Sequence, residues 1–378
     1  MTTFSRPSRP ALAADRPRSK LINLDWSLVL TASALVAIGS LAIFSATRPE
    51  DGGFGLAAKQ LGFFVVGLAI MFVFAMVDYE RLRTWLMPIG ALTIGLLVAV
   101  LTPLGTEIKG TQGWFIYFGF SAQPAEFVKL SLIVVLAALF SGRTGNVDPP
   151  RIAASLGVLA VVALLVLRQG ETGSVLVYCA LALGVYLVAG VPARYLMLLI
   201  MSGVGVASVI FTSDVLADYQ EARLTSFVDQ NDPAAYNQVQ SVNAIGSGGL
   251  TGKGLFEGPQ TQFGFVPEQE TDFIFTVIGE ELGFVGAAIV LGLQALILIR
   301  IFRIAQLSRD RFGTLLCIGV FSMLLIHVVQ NVGMTMRLMP ITGIPLPFVS
   351  YGGSALITAL AAIGLVQSVS VHRRRNVR

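Results

Sequence analysis

A short segment of the sequence is rich in carboxylates. It spans positions 268–281 and contains Glu268, Glu270, Asp272, Glu280 and Glu281. Thr271 or Asp272 could cap the start of a following helix by accepting hydrogen bonds from its free amide groups. Capping explains one of these side chains and leaves the others available as acids or bases. We therefore expect chemistry in this segment, with capping by Asp272 as the alternative.

Glu126 and Lys129 form a second candidate pair. They stand three residues apart in an apolar stretch, a spacing that brings both side chains onto one face of a helix. An ionisable residue inside a membrane helix indicates a function by default. The alternative is a mutually neutralising pair that fixes helix packing, because such charges are usually accommodated by pairing. We predict that the pair supports an active cavity.

The elements that carry these residues are membrane helices. Of the 378 residues, 54% are hydrophobic and 13% are charged, against roughly 25% charged in a soluble domain. The charges are grouped between apolar stretches of roughly twenty residues, the length that an α-helix needs to cross a membrane. The sequence predicts an all-α, polytopic integral membrane protein with about ten transmembrane helices. The predicted spans are 24–44, 56–77, 86–104, 123–140, 152–167, 173–191, 194–212, 272–300, 312–332 and 350–371.

The distribution of basic residues predicts the orientation of these spans. If the amino terminus is cytoplasmic, most of the 26 Lys and Arg residues fall in the inner segments, as the positive-inside rule requires. Residues 1–23 and 372–378 are then basic cytoplasmic tails, the first of them disordered, on either side of a single membrane domain at 24–371. The tails lack interleaved aromatic residues, so we predict no binding to nucleic acid.

The connection at 213–271 is too long for an ordinary loop between two spans. It is rich in Gly, Gln and Asn, and long loops are usually functional or disordered. On the predicted topology it is extracytoplasmic and joins the seventh and eighth spans. We predict a partly ordered loop that handles a polar ligand, with Asp272 at the point where the eighth span leaves the interface.

Four stretches of the chain resemble the signature of the SEDS family. They are Gln123-Pro-Ala-Glu-Phe-Val-Lys129, residues 240–254, residues 264–286, and residues 331–334 followed by 340–354. The resemblance covers the chain from Asp25 onward. Within the family, residues 258–267 and 340–347 are more similar to the elongation protein RodA (rod shape-determining protein) than to the division protein FtsW.

This resemblance implies a peptidoglycan glycosyltransferase that polymerises lipid II into glycan strands during cell elongation. It implies a multi-pass protein of the bacterial inner membrane, and a class B penicillin-binding protein as its transpeptidase partner. It also implies a divalent cation, Mg²⁺ or Mn²⁺, whose ligands the sequence does not identify. Within the family pattern, Asp272 is the catalytic residue.

Transfer from a lipid diphosphate suits a single carboxylate. A glycoside hydrolase typically needs two carboxylates, whereas a diphosphate leaves without being protonated. The transfer therefore needs one base for the acceptor hydroxyl and positive charge near the leaving group. We predict that Asp272 removes the proton from the acceptor 4-hydroxyl while the undecaprenyl diphosphate carrier is released.

Further residues are candidates for substrate binding or for support of the cavity. The Gly-rich stretch 246–254 either contacts the diphosphate, with Lys253 as counter-charge, or is a plain flexible loop. Arg223 and Arg337 either neutralise the diphosphate or anchor the chain at the interface. The proline-rich segment 340–347 cannot be regular helix, and we expect it to line the site together with Ser350. Glu268 is assigned to the same cavity.

Some positions depart from the family pattern. Gly113 stands where a basic residue commonly precedes the tryptophan, and Arg337 stands where a small residue is frequent. We hypothesise that Arg337 restores the missing positive field. Glu270 stands where His is usual, and residues 169–174 replace a common Asp-Leu-Gly-Thr pattern.

Two other functions compete with an enzyme. Midplane charges and an irregular helix also suit a transporter, specifically a flippase that carries lipid II across the membrane. A noncatalytic membrane scaffold for the penicillin-binding protein is the third interpretation, and it predicts that Asp272 is dispensable. The long loop that ends in a carboxylate favours the enzyme.

Overall fold

The computed structural model describes residues 23–51, 54–108, 110–117, 120–142, 148–198, 200–201 and 235–373. Several sequence predictions fall outside these ranges. They concern the amino-terminal tail as far as residue 22, residues 202–212 of the seventh span, the first part of the long loop with Arg223, and residues 374–378.

Helices make up most of the described chain. They are α1 (Trp26–Asp51), α2 (Phe54–Met76), α3 (Leu86–Val100), α4 (Pro124–Phe140), α5 (Pro149–Arg168), α6 (Thr172–Ala189), α7 (Tyr236–Ser247), α8 (Pro259–Gln262), α9 (Ile274–Glu281), α10 (Gly283–Gln306), α11 (Arg311–Thr335) and α12 (Gly353–His372). A 3₁₀ turn at Tyr79–Arg83 connects α2 to α3. Residues 193–198 and 200–201 are also helical.

Seven helices within the described ranges are long and apolar enough to cross a membrane: α1, α2, α5, α6, α10, α11 and α12. The apolar helix α3 is shorter, with 15 residues, and α4 has 17 residues that include Glu126 and Lys129. Every predicted span contains a helix, although little of the seventh is described. The prediction of a polytopic all-α membrane protein is confirmed.

The eighth predicted span, 272–300, is wrong as a single helix. The structure breaks it at Leu282 into the short helix α9 and the long helix α10. Gly283 has a φ of +63°, and a Cβ atom there would lie 2.3 Å from the amide nitrogen of Gly252. This close backbone approach requires glycine and interrupts the helix. Asp272 therefore lies before the short helix α9, and the membrane-crossing helix begins only at Gly283.

A small antiparallel sheet, which the sequence analysis did not predict, lies between α3 and α4. Its strands are β1 (Thr106–Ile108), β2 (Thr111–Tyr117) and β3 (Phe120–Ala122), in the order β1-β2-β3. The backbone amide of Gln112 in β2 donates a hydrogen bond of 3.0 Å to the carbonyl of Gln169, at the end of α5. The sheet is thereby held against the turn between α5 and α6.

Helix α12 is the central helix of the bundle. It packs against α2, α11 and α4, and nearly all of its side chains are buried. Its backbone comes close to that of α2, because a Cβ atom on Gly364 would lie 2.6 Å from the carbonyl oxygen of Met71. Small residues permit such close packing between membrane helices. The first residues of α12 are thereby fixed at one end of the bundle.

Candidate active site

A cavity of about 340 Å³ opens at this end of the bundle. Its walls come from β2, the start of α4, the turn between α5 and α6, the 268–272 turn, residues 342–345 and the start of α12. Asp272, Glu126, Lys129 and Glu268 all line it. The structure thus brings these four predicted site residues together, although their chemical roles stay predictions.

Asp272 is carried by a tight turn. Glu268 has a φ of +56°, and its carbonyl oxygen accepts hydrogen bonds from the amides of Thr271 and Asp272 at 3.2 and 3.1 Å. The residue at the N-cap of α9 is Phe273, whose side chain has no hydrogen-bonding atom. Thr271 and Asp272 precede that position, so the structure does not support the alternative of a helix cap at either residue. The turn instead presents a partly buried Asp272 to the cavity.

Asn331 of α11 fixes the 268–272 turn through its side-chain amide. Its side-chain nitrogen donates one hydrogen bond of 2.8 Å to the carbonyl of Asp272 and another of 2.8 Å to the carbonyl of Ile344. Two walls of the cavity, the 268–272 turn and the proline-rich segment, are therefore fastened to one buried amide. Asn331 lies in a motif that carried the family resemblance, but no sequence pattern indicates this contact.

Glu126 and Lys129 are paired, and a third residue joins them. Pro124 begins α4, where the missing amide hydrogen of proline is not needed. The Nζ atom of Lys129 lies 2.6 Å from Oε1 of Glu126 and 3.0 Å from Nε2 of His327, a residue of α11. All three side chains are buried. Sequence analysis missed His327, although an ionisable residue in an apolar span is itself a signal.

Glu171 is a further carboxylate in the cavity wall that the sequence analysis did not select. Burial raises the pKa of its carboxyl, although a hydrogen bond from the side chain of Gln123 opposes this shift. The hydroxyl of Ser174 donates a second hydrogen bond of 3.0 Å. A Cβ atom on Gly113 would lie 2.9 Å from Oε1 of Glu171. The absence of a side chain at position 113 therefore leaves space for this carboxylate.

The lining of the cavity carries more negative than positive groups. Among the described residues that line it, Glu126, Glu171, Glu268 and Asp272 are acidic, and Lys129 is the one cation. The described lining therefore contains four carboxylates and one ammonium group, and Glu126 and Lys129 form an ion pair.

Two of the predicted cations, Lys253 and Arg337, do not line this cavity. Lys253 is exposed, and its backbone amide donates 3.0 Å to the carbonyl of Glu280, so the Gly-rich loop closes the end of α9. Arg337 is partly buried in the turn after α11, with a φ of +57°. Neither residue lines the cavity. Arg223 lies outside the described residues.

The proline-rich segment and Ser350 divide between two cavities. Thr342, Gly343, Ile344 and Pro345 line the main cavity, as expected for this segment. Ser350 instead lines a neighbouring cavity of about 20 Å³, which Glu126, Lys129 and His327 also border. Its hydroxyl accepts a hydrogen bond of 2.9 Å from the amide of Leu346. In this position Ser350 stabilises the turn that follows the proline-rich segment.

Two of the clustered carboxylates have structural partners. The side chain of Glu280 accepts hydrogen bonds from the amides of Gln260 and Thr261, at 2.8 and 2.9 Å, and so anchors the start of α8. Glu281 accepts a hydrogen bond from the hydroxyl of Ser45 in α1. Charge-assisted hydrogen bonds of this kind are strong. These two residues therefore hold the loop to the bundle and lie apart from the cavity lining.

Across the described part of the chain, no group of three or more His, Cys, Asp or Glu side chains could hold a metal ion. Carboxylate oxygens are nevertheless the donors that Mg²⁺ prefers, and Mg²⁺ often takes its remaining ligands from substrate phosphates and water. The carboxylates that line the cavity suit that second mode, and Glu268, in the same turn as the predicted base Asp272, would hold such an ion.

Comparison with known proteins agrees with the sequence motifs. The profile of the FtsW/RodA/SpoVE family, described as cell cycle proteins, matches residues 21–375. The peptidoglycan glycosyltransferase MrdB of Escherichia coli K12 is 34% identical over 377 residues, covering 95% of this chain and 98% of MrdB. The stage V sporulation protein E of Bacillus subtilis is also 34% identical, over 368 residues, covering 94% of this chain and 99% of that protein.

A solved structure shares the fold. It comes from work on a peptidoglycan synthase complex that coordinates polymerization and crosslinking, and it superposes with a TM-score of 0.80 at 31% identity. The alignment covers 93% of this chain and 99% of that one. The resemblance predicted from four sequence motifs is confirmed at the level of the family. The chain belongs to the FtsW/RodA/SpoVE family of cell cycle proteins.

Proposed function

We propose that this membrane protein is a peptidoglycan glycosyltransferase that polymerises lipid II into glycan strands. The observation that carries the proposal is the cavity in which Asp272, Glu126 and Lys129 meet. The relative MrdB is named a peptidoglycan glycosyltransferase. A scaffold does not need a carboxylate that a tight turn presents to a polar cavity. Glycosyl transfer does, because its acceptor hydroxyl must lose a proton.

In the proposed reaction, Asp272 acts as the general base. The acceptor 4-hydroxyl oxygen attacks the anomeric carbon of the donor, and its proton passes to the carboxylate of Asp272. The bond from the anomeric carbon to the diphosphate breaks, and the electron pair leaves with the undecaprenyl diphosphate. Asn331 and the 268–272 turn keep the base in place, since geometric fixation of reacting groups lowers the barrier.

The leaving diphosphate requires positive charge nearby. In the described cavity lining, Lys129 is the one positively charged side chain. We propose that Mg²⁺ or Mn²⁺ is part of the active enzyme. When bound, the ion supplies positive charge beside the diphosphate. Chelation of divalent cations with EDTA should abolish polymer formation, and added Mg²⁺ or Mn²⁺ should restore it. Full activity in the chelated enzyme would refute this part of the proposal.

We further propose that the protein is the elongation type, similar to RodA, and lies in the bacterial inner membrane with both termini cytoplasmic. A class B penicillin-binding protein is its proposed transpeptidase partner; the peptidoglycan synthase complex named above coordinates polymerization with crosslinking. Expression in Escherichia coli cells depleted of MrdB should restore the rod shape. Rescue of FtsW-depleted cells instead would assign the protein to the division branch.

The decisive experiment compares three purified proteins: wild type, Asp272→Asn and Glu257→Gln. Glu257 is an exposed carboxylate outside the cavity lining and serves as the matched control. Each protein is incubated with fluorescent lipid II and the partner protein, and products are resolved by length. We expect polymer from wild type and the control, and none from Asp272→Asn with intact folding and partner binding.

The other outcomes identify the competing functions. Equal polymer from Asp272→Asn would refute the assignment of the base. Movement of lipid II across vesicles without polymer from wild type would favour the flippase. A wild type that binds the partner but does neither would favour the scaffold.

A further inference from the structure

Lys129 is held by acceptors from two different helices. Glu126 lies on α4 with Lys129, three residues earlier, so this ion pair fixes the lysine only relative to its own helix. The Nε2 atom of His327 lies on α11, 3.0 Å from Nζ of Lys129. A lysine side chain is a flexible four-carbon stem that ends in a point charge. A second acceptor on a neighbouring helix therefore restricts where that charge lies in the bundle.

The hydrogen bonds of His327 define its tautomer. Its Nδ1 atom lies 2.6 Å from the carbonyl oxygen of Met323. Since a carbonyl oxygen only accepts hydrogen bonds, Nδ1 carries the proton and Nε2 presents its lone pair to Lys129. The imidazole is then neutral. It orients the ammonium group without adding another carboxylate to a cavity whose described lining already has four.

The same face of α11 also holds the proposed base. Asn331 stands four residues after His327, a spacing that puts both side chains on one side of a helix. Asn331 donates to the carbonyl of Asp272 at 2.8 Å, while His327 accepts from Lys129. One rigid helix therefore contacts the backbone that carries the base and the side chain of the cation.

We propose that His327 is a positioning residue of the transferase, which fixes the ammonium group of Lys129 at a set distance from Asp272. Together with Asn331, it makes α11 the helix that sets the position of Lys129 relative to Asp272. This inference rests on the proposed function, since that relative position matters only if both groups act on one substrate. His327 itself contacts Lys129 and has no role in bond making.

The first test separates the loss of the hydrogen-bond acceptor at position 327 from the loss of side-chain packing there. Glutamine at position 327 can place an oxygen near the position of Nε2, whereas leucine fills space without an acceptor. His327→Leu should lower the polymerisation rate at saturating lipid II by about 10- to 100-fold, because misplacement by about 1 Å can cost that much. His327→Gln should recover most of the rate. Met323→Leu keeps the carbonyl that His327 uses and serves as the control for packing.

The second test reads the contact without using activity. The chain has two histidines, so nitrogen NMR of ¹⁵N-histidine-labelled His372→Gln protein reports on His327 alone. We expect the tautomer with the proton on Nδ1, and a change of the Nε2 signal in Lys129→Met. The tautomer with the proton on Nε2, or a signal that Lys129→Met leaves unchanged, would overturn the inference.

The two tests distinguish the failures. A wild type without polymerase activity refutes the proposed function, and the NMR result still decides whether His327 accepts from Lys129. A fully active His327→Leu protein with an unchanged melting temperature would refute the positioning role alone. Equal loss of activity in His327→Gln and His327→Leu would show that the acceptor is not what matters.

Discussion

Replacement of Asn331 by leucine should loosen Asp272 without removing any charged group. The buried side-chain nitrogen of Asn331 donates to two carbonyls, those of Asp272 and Ile344, each at 2.8 Å. Leucine has a similar size and no donor. The substitution therefore removes the Asn331 donor from two carbonyl oxygens, a part-buried one on Asp272 and a buried one on Ile344.

The size of the effect follows from these contacts. Each buried acceptor that loses its partner costs about 1–3 kcal/mol. The Oδ1 atom of Asn331 has no hydrogen-bond partner within the described chain, so leucine also removes one unsatisfied polar atom and recovers a similar amount. The net loss of stability should be about 1–3 kcal/mol. Displacement of Asp272 by about 1 Å should reduce the polymerisation rate by about 100-fold.

The control is the preceding residue on the same helix. The side chain of Gln330 donates to the carbonyl of Pro340 at 2.9 Å, in the same proline-rich segment, but does not contact Asp272. Gln330→Leu should lower the melting temperature and retain most of the activity. Both variants are compared by thermal unfolding in detergent and by the lipid II polymerisation assay. If Asn331→Leu is as active as Gln330→Leu at equal stability, the proposed fixation of Asp272 through Asn331 is refuted.

Three further outcomes are expected. Gly113→Ala should displace the carboxylate of Glu171, since the added Cβ would lie 2.9 Å from Oε1, and should raise KM for lipid II. Gly62→Ala is the control, because a Cβ atom there would have no neighbour within 4 Å. Burial raises the pKa of the Glu171 carboxyl, so the folded state binds this proton more tightly than the unfolded state. The stability that results is fully present below the pKa of the unfolded state, and it is lost as the pH rises through the raised pKa of the folded state. Melting temperatures of wild type and Glu171→Gln should therefore agree at low pH, and the variant should be more stable at high pH; parallel curves would contradict this. Arg337→Gly should stabilise the protein by about 1 kcal/mol, because φ at this position is +57° and glycine adopts that conformation without strain. The variant should leave polymerisation unchanged. A loss of activity that Gly113→Arg restores would instead support charge compensation by Arg337.

The helices were largely predictable, because long apolar stretches report membrane spans directly. The break between α9 and α10 was not, since it depends on contact between Gly283 and the backbone of Gly252, distant in sequence. A hydropathy pattern averages over such a break and therefore predicts one continuous span. The short strands β1 to β3 were missed for a related reason, because three to seven residues between two spans carry too little periodicity to identify a sheet.

The candidate site was predictable in part. The spacing of Glu126 and Lys129 indicates one helical face, and the structure shows them in contact. Their partner His327 lies 198 residues from Lys129 in the chain, so no local pattern reveals the contact. Glu171 was noticed only as part of a departure from the family pattern. Its place in the cavity depends on the empty space beside Gly113, which only the folded chain defines.

Glu280 closes a ring of backbone in the loop that precedes α9, apart from the cavity lining. Its carbonyl accepts from the amide of Lys253 at 3.0 Å, and its carboxylate accepts from the amide of Thr261 at 2.9 Å. Both ends of the intervening segment are therefore clamped to one residue. The entropy of closing such a loop rises slowly with its length. A short epitope inserted beside the exposed Leu255 would therefore cost little in closure entropy, although it would open the turn in which the amide of Glu257 donates to the carbonyl of Gly254. That position offers a site for an affinity handle on the working enzyme.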